Sequence, residues 1–235
     1  MRLGVAWPAE RFGPFMSVDV VVLALASAAR PAGIAALYAL LSASHPRRVL
    51  LAYLIAGVTF SVAIGALAVG VFKGTGVHYR DTNVASAVYL LGGVAALGFA
   101  AGVGSGRRQL PSRGEAAPER SAVSRRLRNP SVTTASAAGV ATHLPGLFYL
   151  VALNAIVAEG RSFVDGLLEV VVFNIIWFGA AIASVVVFLL RPGVARRALA
   201  RVNAWARRHS RITTVLVFSA VGLYLTIKGA MGLLD

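Results

Sequence analysis

Six stretches of mostly apolar residues, near 17–42, 48–72, 83–104, 131–157, 164–190 and 212–233, run along the chain. Each reaches the roughly 20 residues that a helix needs to cross a bilayer core. In lipid, every backbone polar group must be satisfied within the protein, which restricts such segments to spanning helices. The rest of the composition agrees: only 14% of residues are charged and mean hydropathy is +0.75, whereas a soluble domain carries about 25% charge. The expected class is an all-α polytopic membrane protein of six transmembrane helices. The opening "MRLGVAWPAERFGPF" is short, is interrupted by Pro8 and Pro14, and does not read as a cleavable signal. Met16 directly precedes the first apolar run, which leaves Met1 and Met16 as alternative natural starts.

Charge orients the helices. The connections after the first, third and fifth spans hold 2, 7 and 7 arginines, among them Arg47, Arg48, Arg107, Arg126, Arg196 and Arg208. The other side has Arg2, Arg11, Lys73, Arg80 and Arg161. Positive connections stay in the cytoplasm, so both termini are expected outside the inner (plasma) membrane. The net charge of +14 therefore points to the anionic cytoplasmic leaflet rather than to nucleic acid. In "RPGVARRALARVNAWARRHSR", Ala195, Leu199, Val202 and Trp205 recur at helical spacing among arginines, the pattern of a cytoplasmic amphipathic helix lying on such a leaflet. The alternative is a connection without regular structure. Residues 105–130, rich in Gly, Pro, Ser and Arg, read as a flexible basic linker that divides one membrane domain into halves, 17–104 and 131–233.

The halves resemble each other. "SVDVVVLALASAARP" (17–31) and "SVTTASAAGVATHLP" (131–145) both open on Ser-Val and reach proline after the same interval. With three spans in each half, the second enters from the opposite side. Two inverted three-helix repeats follow, whose interrupted helices mark a substrate site near the midplane. Pro31 and Pro145 occupy corresponding positions, with Arg30 and His143 close by. An ionisable residue at that depth costs several kcal/mol and faces a cavity or a partner. Arginine presents a planar fork suited to carboxylate, sulfate or phosphate. Arg30 with His143 opposite is thus the candidate anion-recognising centre. The structural alternative ties Arg30 to an acid or to carbonyls, and His143 to a neighbouring helix.

Other polar residues sort by depth. Asp19, Asp165, Glu169 and Lys228 fall toward the outward ends of their spans, where ion pairs such as Asp19 or Glu169 with Lys228 are the simplest explanation. Asn174 is deeper and could meet substrate or hold a neighbouring helix. Tyr149, one turn past Pro145, could line the same cavity or pack. Gly92, Gly93 and Gly98 permit close helix packing, within the chain or in a homo-oligomer. The chain has no cysteine, its four histidines form no metal motif, and it has no phosphate-loop or dinucleotide pattern. No cofactor or metal is expected.

Several segments, in order and spacing, resemble a known family. They are "RPAGIAALYALLSASHPRRVLLAYLIAG", "HLPGLFYLVALNAI" and "VVVFNIIWFGAAIASVVVFLLRP" followed by "VNAWARRHSR". Together they are similar to the actinobacterial glycolipid-addressing proteins, which include the sulfolipid-addressing proteins and belong to the lysine-exporter superfamily. The similarity extends over nearly the whole chain from about residue 17. It implies six helices in inverted repeats. It also implies a part in moving (peptido)glycolipids from the inner membrane toward the cell surface, beside a large lipid exporter or lipid-biosynthesis protein. By matching position it carries over Pro31, Leu144, Pro145, Tyr149, Phe173 and Asn174, but not Arg30.

Three functions compete. The first is a transporter or flippase-like protein for glycosylated or otherwise anionic envelope lipid, with the head group held at Arg30, Pro31, His143, Pro145, Tyr149 and Asn174. The second is an exporter of amino acids or other small soluble anions, whose carboxylate Arg30 would hold. The third is a membrane enzyme or accessory subunit acting on envelope lipid, with His143 as base. The first is favoured, and the protein is not expected to be an enzyme.

Overall fold

The computed structural model describes residues 17–29, 31–74, 82–108, 130–158 and 162–234. Met16, Arg30 and most of the 105–130 linker lie outside the described residues; Pro31 is described in its backbone. The helices, in order, are α1 (Val18–Ala28), α2 (Pro31–Leu41), α3 (Pro46–Gly74), α4 (Thr82–Gly104), α5 (Val132–Thr142), α6 (Leu147–Ala158), α7 (Phe163–Trp177), α8 (Gly179–Leu190) and α9 (Pro192–Leu234).

Three helices, α3, α4 and α9, are each long and apolar enough to cross a membrane. The others form bent pairs: α1 with α2 at 51°, α5 with α6 at 66°, and α7 with α8 at 59°. Counting each pair as one span gives six. The bend in the fourth span has a local cause. Pro145 has no N–H, its ring clashes with a carbonyl one turn back, and it disfavours helix at Leu144. Accordingly α5 stops at Thr142 and α6 starts at Leu147. The bend between α7 and α8 contains no proline; Phe178 leaves the helix at φ −85°, ψ 2°. Starts are marked by serines. Ser131 caps α5 by accepting from the Thr134 amide, and Ser162 caps α7 by accepting from that of Asp165. Asp165 in turn accepts the Ser162 hydroxyl at 2.6 Å.

Two close crossings hold the bundle. An added Cβ at Gly139 of α5 would strike the Tyr53 carbonyl oxygen of α3, so these backbones meet with no room for a side chain. Along α4 and α9, Gly93 faces Thr226 and Gly222, while Gly229 lies on the Leu90 amide and Ser86 carbonyl. Two of the three glycines singled out in the fourth helix therefore pack within the chain, Gly92 meeting Val151 of α6; Gly98 faces open space. Tyr53, Phe148, Tyr149, Phe173 and Phe178 form the fully buried centre. The outer surface stays apolar, with Leu67, Leu91 and Leu216 more than 60% exposed, as lipid contact demands.

The basic segment and the sixth span, read separately from sequence, form one 43-residue helix, α9. No proline follows Pro192, which sits at the first helical position where its missing N–H costs nothing. Alanine and arginine are good helix formers, so the change of polarity near residue 211 does not break the backbone. Within the basic part Ala195, Asn203 and Ala206 are buried, while Val194, Val202, Trp205 and the arginines face outward.

Candidate functional site

The three bends converge. One small cavity is lined by Ser27 and Ala28 at the end of α1, Gly33, Ile34 and Leu37 of α2, Tyr53 of α3, Thr142 and His143 at the end of α5, and Trp177, Ala180 and Ala181 around the last bend. Its volume is about 30 Å³, room for one or two waters.

His143 is its best-defined member. It follows the last residue of α5 and is 6% exposed. Its Nδ1 lies 2.9 Å from the Gly139 carbonyl oxygen and 3.0 Å from Thr142 Oγ1. A carbonyl only accepts, so Nδ1 carries the hydrogen, and the histidine satisfies one of the carbonyls that a helix end leaves open. The ring stacks on Phe178 with centroids 3.8 Å apart and 17° between planes. It also meets Trp177 and Tyr53 edge-on at 5.2 and 5.6 Å. Thr142 donates to the Ala138 carbonyl at 2.7 Å, leaving its Oγ1 to accept from the Tyr53 hydroxyl at 3.0 Å. Tyr53, Thr142 and His143 thus tie α3 to the break in the fourth span.

Ser27 differs from these. It is fully buried on the cavity wall and its Oγ has no hydrogen-bond partner among the described residues. A buried hydroxyl left unsatisfied costs about 1–3 kcal/mol, and such orphans mark places where a water or ligand group binds.

The remaining residues singled out from sequence lie around this centre. Pro145 is half-buried at the break, and Pro31 opens α2. Tyr149 is one layer away: its hydroxyl donates to the Ser61 carbonyl at 2.6 Å, and its ring packs on Phe173 and Trp177. Asn174 is 2% exposed and donates to the Val170 carbonyl at 2.8 Å, while its Oδ1 is buried without a hydrogen-bond partner among the described residues. Glu169 is also 2% exposed, between Gly166 and Val170, which pack on α3. Asp19 pairs with Lys228 in a separate cluster. Ser27, Tyr53, Thr142, Trp177 and Phe178 were not singled out from sequence. Trp177 and Phe178 sit in an unbroken apolar run whose one turn signal is Gly179.

Apolar outer faces, six spans when bent pairs are counted as one, and a polar-lined centre at three helix breaks define a multi-pass helical membrane protein. Residues 20–231 match the model of the sulfolipid-1-addressing protein (Sap) family, and the chain belongs to that family. Among curated proteins it is similar to the sulfolipid-1 exporter Sap of Mycobacterium tuberculosis, 31% identical over 107 residues. That stretch is 46% of this chain and 45% of the relative, so the match spans less than half of either. No solved structure matches the chain.

Proposed function

We propose that this protein exports a (peptido)glycolipid or another anionic envelope lipid from the inner membrane toward the cell surface, acting as a transporter rather than an enzyme. The observation that carries the reading is the meeting of three bent helix pairs at one small cavity whose wall includes Ser27, Tyr53, Thr142 and His143. Broken helices expose backbone polar groups where a pathway needs them. Membership in a lipid-addressing family, and similarity to a protein named as a lipid exporter, supply the substrate class.

In this reading the fourth span inverts the first, since both are bent and both carry a proline at corresponding points (Pro145 and Pro31). Rocking of one repeat against the other opens the cavity to each leaflet in turn. The head group enters beside His143 and Ser27, with Arg30 as its cationic partner, while the acyl chains stay in lipid. Both termini face outward, and the arginines of α9 rest against the anionic cytoplasmic leaflet. The gradient or partner exporter that drives the cycle acts on this same pair of states.

The test is native mass spectrometry with lipidomics on gently purified wild type, Arg30→Ala and His143→Ala. Wild type should retain one class of anionic or glycosylated lipid that both variants lose while still inserting in the membrane. Equal, unselective lipid in all three would refute the site.

A further inference from the structure

A second polar cluster lies away from the cavity, at the end of the bundle shared by the start of α1 and the end of α9. Asp19, in the first turn of α1, has only 8% of its side chain exposed. One of its oxygens accepts from Tyr224 of α9; the other accepts from Lys228 of α9 and, at 3.2 Å, from Tyr89 of α4. The Lys228 ammonium also lies 5.1 Å from the centre of the Tyr89 ring. One ammonium and two phenol hydroxyls therefore converge on one carboxylate.

The donors and the acceptor belong to different parts of the bundle. Tyr89, Tyr224 and Lys228 stand on α4 and α9, whose backbones are fixed together at Gly93, Gly222 and Gly229. Asp19 stands on α1, the half-helix whose last residues, Ser27 and Ala28, lie on the cavity wall. Lys228 is 43% exposed although its partner is buried, so the donor side can be reached from outside the protein. Three donors around one oxyanion are also what binds a sulfate, a phosphate or a lipid carboxylate.

We propose that Lys228, Tyr224 and Tyr89 form an oxyanion-binding site which the Asp19 carboxylate fills in this structure. An anionic head group leaving the cavity takes the place of the Asp19 carboxylate, and α1 is freed from α9 as it does so. In the orientation proposed above, this end faces outward and the site is the exit station of the pathway. The inference takes its place in the cycle from the export reading, but the site itself is tested without transport.

The test removes the internal anion and asks whether an external one binds. In an uncharged detergent, the melting midpoints of wild type, Asp19→Asn and Asp19→Asn/Lys228→Gln are followed against sodium sulfate, with sodium chloride at equal ionic strength as control. The same proteins are titrated with a short-chain phosphatidic acid by native mass spectrometry, which separates a soluble-anion site from a lipid head-group site. Asp19→Asn should bind sulfate or phosphatidic acid at least about tenfold more tightly than wild type, about 1.4 kcal/mol, and the double variant should lose the gain. Binding of sulfate alone would assign the site to free anions; binding of the lipid alone, to head groups. Equal binding by Asp19→Asn and wild type, or undiminished binding by the double variant, would overturn the proposal. Asp19→Ser, which keeps a hydroxyl for Tyr224 to donate to, repeats the measurement should the asparagine variant fail to fold. A wild type that moves no lipid would overturn the export reading and leave this result standing.

Discussion

Gly139→Ala tests the closest contact in the bundle. The added methyl would strike the Tyr53 carbonyl oxygen, and its next neighbours, the Tyr53 carbonyl carbon and Cα, lie at 3.0 and 3.2 Å. All three are backbone atoms, so no side chain can rotate away; α3 and α5 must separate. Overpacking of this kind costs about 1–3 kcal/mol. Alanine returns about 1 kcal/mol through its better helix propensity. The expected net loss is about 0–2 kcal/mol, a fall of up to about 8 °C in melting midpoint for a chain of this size. Gly98→Ala is the matched control, because its Cβ would meet nothing within 4 Å. It keeps the propensity gain without the clash and should melt at or above wild type. Thermal melts followed by size-exclusion chromatography in one detergent would compare the two. Gly139→Ala melting no lower than Gly98→Ala would refute the argument that backbone contact joins these helices.

Two further outcomes follow from the cavity and the basic arm. Ser27→Ala removes a hydroxyl that has no partner among the described residues, so its melting midpoint should equal or exceed that of wild type while lipid retention falls, read by the same lipidomic measurement. Replacing Arg196, Arg197 and Arg201 with glutamine should shift cell-free insertion or reconstitution away from anionic vesicles by about 1 kcal/mol per arginine that lies near the lipid surface; vesicle flotation at two salt concentrations measures it, and a salt-independent result would count against leaflet contact.

Much of the fold was legible because hydropathy accumulates over about 20 residues, and each of the six apolar stretches falls on one of the three long helices or three bent pairs. Pro145 also announced its own break, since the missing amide and the ring act locally. The bend at Phe178 was not legible: no proline marks it, and the stacking of Phe178 on His143 joins residues from different spans. The joining of the basic segment to the sixth span was hidden for a related reason. The step from Arg211 to Ile212 looks like a boundary, yet backbone hydrogen bonding is indifferent to that change. At the site, His143 stood out as an ionisable residue in an apolar run. Ser27 and Thr142 were ordinary small polar residues until folding placed them on one wall. Asp19 and Lys228 were visible as charges near span ends, but their common tyrosines come from two other stretches of sequence, and the ion pair itself closes a separation of 209 residues.

The unbroken length of α9 has a mechanical consequence. At 1.5 Å per residue its 43 residues extend about 64 Å, roughly twice the hydrocarbon thickness. A tilt of about 5° about its middle would carry each end sideways by nearly 3 Å, comparable with one hydrogen-bond length. Near one end are the arginines and Trp205; near the other are Tyr224 and Lys228. A rod so placed is a lever, through which a change in how the basic end rests is carried, with α4 held to it at Gly222 and Gly229, to the grip on Asp19.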